Sequence, residues 1–129
     1  MTDLAQLRAL LLDRPAAYED YPFGPETLVL KVASKMFALL SLDTSSLRIS
    51  LKCDPLKADH LRDAYAAITL PSYLDKRHWI AITLDGSVPD ALLATLIDES
   101  YALVVKGLPK AVRAGLGQNA ERRTQDPEG

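Results

Sequence analysis

Cysteine and histidine are nearly absent from this chain of 129 residues, which has one of the first and two of the second. Cys53 is alone, so it has no intramolecular disulfide partner, and no CxxC pair stands ready for zinc or thiol exchange. A hydrolytic triad needs a nucleophile, a base and an orienting acid. His60 and His78 are the only imidazoles, and no G-x-S-x-G elbow accompanies them. His60 sits between Asp59 and Leu61 on a predicted helix and reads as a solvated side chain. Phosphate-cradling loops are missing too, since neither GxGxxG nor GxxxxGK[ST] occurs, and Gly115 and Gly117 precede no helix pattern. No apolar run reaches the roughly 18 residues of a membrane span, because Lys31, Lys35, Asp43 and Arg48 interrupt the longest ones. The opening Met1-Thr2-Asp3-Leu4 lacks the basic start and apolar core of a signal peptide. These absences lead to the expectation of a cytoplasmic, non-catalytic protein with no metal, no cofactor and no membrane partner. An excess of positive charge is also lacking. Fifteen Lys and Arg stand against 17 Asp and Glu, a net charge of −2. Affinity for DNA comes chiefly from neutralised phosphates, so any nucleic-acid contact has to rest on a local basic patch.

What is present is an ordinary globular mixture, 48% hydrophobic and 25% charged. The length suits one domain with a core large enough to stand without staples. Leu4, Leu7 and Leu11 repeat at helical spacing over residues 2–13, with Thr2 as N-cap and Pro15 as terminator. Two prolines and a glycine make Ala16 to Pro25 irregular, and its Tyr18, Tyr21 and Phe23 suggest that it packs down. Leu28–Ala33 and Met36–Leu42 form a predicted hairpin with a turn near Ser34-Lys35. In Leu47–Lys52, Leu47, Ile49 and Leu51 alternate with Arg48, Ser50 and Lys52. Asp54-Pro55 supplies an N-cap and first-turn proline for a helix to about Tyr65. A short edge segment over Ile68–Tyr73 precedes a strand over Trp79–Leu84. Ser87 and Asp90 suggest a capping box for a last helix, striped by Leu93, Leu96, Ile97, Tyr101, Val104 and Leu108. This order predicts an α+β fold, an antiparallel sheet with helices on one face. The other face then carries Arg48, Ser50, Lys52, Trp79, Ala81 and Thr83. Residues 1–113 form the expected domain and 114–129 a flexible tail.

Three sites hold chemistry worth weighing. Cys53, at a strand-to-helix join, has either a lowered thiol pKa or the role of a small buried filler, and the second is preferred. Glu19-Asp20 reads as solvated charge, because hard-cation sites need further oxygen ligands nearby. Lys76-Arg77-His78-Trp79 is the densest, two cations with an imidazole and an indole at a strand entrance. Such a set suits phosphate contact with base stacking, and equally a solvated loop whose indole closes the core edge. Lys52 and Arg48, with Lys110 beyond the last helix, enlarge the candidate patch, and Lys106 and Arg113 lie near it in sequence.

The segments Glu19-Asp20-Tyr21-Pro22-Phe23-Gly24, Lys35-Met36-Phe37-Ala38-Leu39-Leu40, Leu51-Lys52-Cys53-Asp54-Pro55, Lys76-Arg77-His78-Trp79 and Leu84-Asp85-Gly86, followed by Ser100-Tyr101 and Leu108-Pro109-Lys110, resemble the MmcQ/YjbR family. The resemblance runs over about residues 4–113 and departs at Ala33-Ser34, where a glycine-rich turn is expected. It implies a fold like that of the bacterial frataxin homologue CyaY and a double-wing mode of DNA binding. It supplies no catalytic residues. Iron binding of the frataxin type is disfavoured, because the first helix has only Asp3 and Asp13. The residues thus point to a non-catalytic binding domain, with weak DNA binding and a protein- or small-ligand-binding module as readings of equal weight and an unrecognised enzyme as the third.

Overall fold

The computed structural model describes residues 3–42 and 47–116. Six strands form one sheet in the order β1-β2-β3-β4-β6-β5, with every neighbouring pair antiparallel. They are β1 (Tyr18–Asp20), β2 (Thr27–Val32), β3 (Lys35–Ser41), β4 (Arg48–Lys52), β5 (Ile68–Thr69) and β6 (Trp79–Thr83). Helices α1 (Leu4–Leu12), α2 (Pro55–Ala64) and α3 (Asp90–Lys106) accompany them, with a further short helical segment over residues 110–116. Leu7 and Leu11 of α1, Ala58 and Leu61 of α2, and Leu93, Leu96 and Ile97 of α3 join Leu30, Leu40, Ile49, Leu51, Ile80 and Ile82 in one buried cluster. α1, α2 and α3 therefore lie on one sheet face, each buried leucine or isoleucine contributing about 1.5–3 kcal/mol by leaving water. α3 crosses β2, β3 and β4, while α2 packs against β5 and β6.

The local signals act largely as their chemistry requires. Asp54 accepts from the amides of Leu56 and Lys57 at 3.1 and 3.2 Å, with Pro55 opening α2. At α1 the cap is Asp3, whose carboxylate accepts from the amide of Ala5, and Thr2 lies outside the described residues. Ser87 caps nothing. Its amide and hydroxyl both donate to Asp85, and α3 begins behind Pro89 with no side-chain cap. The segment expected to be wholly irregular contains β1, whose Glu19 forms a bidentate pair with Arg8 at 2.6 Å and ties the edge strand to α1. Tyr18, Tyr21 and Phe23 do not pack down, being 41%, 46% and 63% exposed. Residues 110–116 continue as helix, and Leu116 is buried in the core cluster. The packed unit thus reaches past residue 113, and the rest of the expected tail, 117–129, lies outside the described residues.

The β2–β3 hairpin turns on Ala33 and Ser34, with φ of 50° and 70°. Two left-handed central residues mark the two-residue turn that suits strand twist, and glycine or asparagine normally takes these places. Alanine and serine there carry a steric cost. Replacing the pair by Asn-Gly (Ala33→Asn with Ser34→Gly) should stabilise the protein by about 1 kcal/mol, read as a higher urea midpoint with unchanged slope. An unchanged or lower midpoint would refute strain at this turn.

Candidate functional site

Alternation along β4 and β6 sends Ile49, Leu51, Ile80 and Ile82 into the core, so the residues between them point from the other face. The register pairs Arg48 with Thr83, Ser50 with Ala81 and Lys52 with Trp79. Leu39 and Ser41 extend this second face through their pairing with Ser50 and Arg48. Asp20 is the one carboxylate among its described strand residues, and it is committed to Lys31 at 2.7 Å. That ammonium holds the Asp20 carboxyl below its usual range. Lys52 has no ion-pair partner among the described residues.

The turn before β6 is shaped by Asp75. Its carboxylate accepts the Arg77 amide at 2.9 Å and meets His78 Nδ1 at 2.7 Å, and these bonds, the amide first, lower its pKa. Lys76 Nζ donates to the Ser72 carbonyl at 3.3 Å, and Lys76, Arg77 and His78 are all exposed. The His78 carbonyl accepts the Cys53 amide at 2.8 Å, which anchors the turn beside Lys52. Lys52, Lys76, Arg77, His78 and Trp79 thus gather at one end of the sheet. Arg48 does not join them; it lies four residues back along β4, about 13 Å away at ~3.3 Å per residue. Lys110 begins the helical segment 110–116, two residues after Leu108. Of the two readings of Trp79, the indole that closes the core edge fits the structure, because Trp79 is only 9% exposed.

Beneath Lys52 the strands part. Ser100 on α3 is fully buried, and its hydroxyl donates to the Phe37 carbonyl at 2.6 Å while accepting the Lys52 amide at 2.8 Å. The hydroxyl stands where a direct β3–β4 ladder bond would otherwise form. A register shift between Leu30 and Lys31 leaves Phe37 unpaired against β2. This bulge lets Phe37 and Ala38 both enter the core, where Phe37 meets Tyr101 edge-to-face with centroids 5.3 Å apart. At the separated strand ends a cleft of about 310 Å³ opens, lined by Lys35, Met36, Lys52, Trp79, Leu103, Val104, Gly107 and Leu108. Sequence reasoning found Lys52 and Trp79 and missed the rest. The available signal was Ser100 itself, a polar residue on the inward stripe three residues after Ile97 and four before Val104.

Cys53 is 4% exposed, and burial pushes its thiol pKa up, which removes the case for an activated thiolate at the start of α2. Among the described residues no three His, Cys, Asp or Glu side chains gather as a metal cage, and no helix is long and apolar enough to cross a membrane.

An antiparallel sheet with helices on one face, and a small cationic cluster at one sheet end, make this an α+β domain. The YjbR family model matches residues 12–103, and the chain belongs to that family. It is similar to the protein YbdF of Escherichia coli O157:H7, 37% identical over 103 residues that cover 80% of this chain and 84% of the relative. YjbR of Escherichia coli strain K12 is 30% identical over 115 residues, 89% of this chain and 98% of the relative. The crystal structure of Deinococcus radiodurans protein DR2400 superposes with a TM-score of 0.85 at 43% identity, covering 91% of this chain and 89% of that one. A Pseudomonas syringae protein shares the fold with a TM-score of 0.69 at 23% identity, covering 78% of this chain and 97% of its own.

Proposed function

We propose that this chain is a non-catalytic binding domain that engages nucleic acid, DNA included, through phosphate contacts. The observation that carries the proposal is the gathering of Lys52, Lys76 and Arg77 at one sheet end. The strand face beside them bears a single carboxylate, already paired with Lys31. Arg48 at the far end of β4 extends the contact line, and Lys110 flanks it. His78 adds a further positive charge when protonated. With Trp79 buried, the contacts position a backbone and do not read or stack bases.

These five cations and a protonated His78 meet at most six phosphates, so the slope of log K against log salt should be no steeper than about −5. Fluorescence anisotropy with labelled single- and double-stranded oligonucleotides at low salt measures this directly. Changing both Lys76 and Arg77 to alanine should weaken binding to all sequences alike and make the slope shallower by about 2. A folded protein that binds neither oligonucleotide would overturn the proposal.

A second reading, a small-ligand module, is favoured by one separate observation, the 310 Å³ cleft between the strand ends and α3.

A further inference from the structure

We infer that the cleft at the separated ends of β3 and β4 is a binding site for a small amphipathic anion, an aliphatic carboxylate of medium chain length being the simplest form. This does not depend on nucleic-acid binding, although Lys52 borders both surfaces. Three observations converge. The cleft's volume of about 310 Å³ is at the small end of ligand pockets, too small for a protein segment with its own secondary structure. Its walls are apolar, built from Met36, Leu103, Val104, Leu108 and the edge of Trp79. Its polar lining is of one sign: Lys35 and Lys52 reach it, no carboxylate does, and neither ammonium has an ion-pair partner among the described residues.

The C-terminal end of α3 lies at the same place, with Gly107 as its cap. A helix C-terminus carries roughly half a negative charge, so it favours lysines nearby by itself. It does not account for the apolar hollow between them, and two full positive charges outweigh half a negative one. A ligand with one negative headgroup and a short apolar tail satisfies both features. The headgroup takes the place of the missing counter-ion, and the tail covers the partly exposed side chains of Met36 and Leu103 and reaches the buried Val104 and Leu108. Beside the lining residues Met36 and Lys52, the hydroxyl of Ser100 stands between the Phe37 carbonyl and the Lys52 amide.

Trp79 is the one tryptophan of the chain, so its emission reports on the cleft. Titration with octanoate should change that emission in a saturable way, and 1-octanol and octylamine at the same concentrations should not. The double variant Lys35→Ala, Lys52→Ala should bind octanoate at least about tenfold more weakly, the loss expected for charge-assisted contacts. Backbone amide shifts from a parallel NMR titration should centre on Met36, Leu103, Val104, Gly107 and Leu108. This second readout decides the matter if the indole proves insensitive or the double variant unfolds. Equal responses to the neutral and cationic analogues, octanoate binding undiminished in a folded double variant, or amide shifts centred elsewhere would each overturn the inference.

Discussion

Phe37→Ala should destabilise the protein by about 4 kcal/mol, towards the upper end of what one core truncation costs. Phe37 is fully buried, and its ring meets Tyr101 at an interplanar angle of 89°. Removing it therefore forfeits both transfer free energy and an aromatic pair worth about 1 kcal/mol beyond area. The cost spreads over two elements, because Tyr101 also anchors α3 to the end of α1 by donating its hydroxyl to the Pro15 carbonyl at 2.6 Å. For a domain of this size such a loss corresponds to a Tm lower by roughly 15 °C, measurable by calorimetry. Phe37→Leu should lose about a third as much, since most of the apolar volume remains. A fall of only a few degrees for Phe37→Ala would mean that the bulge relaxes and turns residue 37 out of the core.

Ser100→Ala should cost about 2 kcal/mol, far more than an alanine normally costs within a helix. The physical reason is that one hydroxyl serves two buried backbone groups, the Phe37 carbonyl and the Lys52 amide. Its loss leaves both without partners in a place water does not reach, unless β3 and β4 close on each other. Hydrogen exchange separates these outcomes. If the strands stay apart, the Lys52 amide loses its protection well beyond the global change in stability. A destabilisation below about 1 kcal/mol with a still-protected Lys52 amide would show that the strands zip together, and the hydroxyl would then be no spacer.

The candidate patch is partly legible in the sequence. Lys52 and Trp79 fall on the same face by simple alternation along two strands, and the register makes them direct cross-strand neighbours. Lys76, Arg77 and His78 precede Trp79 in the chain, so they cannot lie far from it. The burial of Trp79 is not legible. An indole at a strand entrance fits a stacking platform and a core edge equally well, and the surrounding side chains decide between them.

Elements whose signals lie within a few residues of each other follow from the amino-acid sequence alone. Alternation in Arg48–Lys52 and Trp79–Thr83 specified two strands and their inward faces. Asp54-Pro55 started α2, and the leucine stripes of α1 and α3 required a shared apolar surface on one side of the sheet. The tertiary structure alone decided what depends on residues distant in the chain. Ser100 acts on Lys52 across 48 positions and on Phe37 across 63. β1 exists as a strand only because β2 offers it an edge and Arg8 holds its Glu19. The cleft has no sequence pattern of its own, because its walls come from three strands and the far end of a helix. Periodicity records which way a side chain points within its own element. Which element it then meets is set by register, bulge and helix placement.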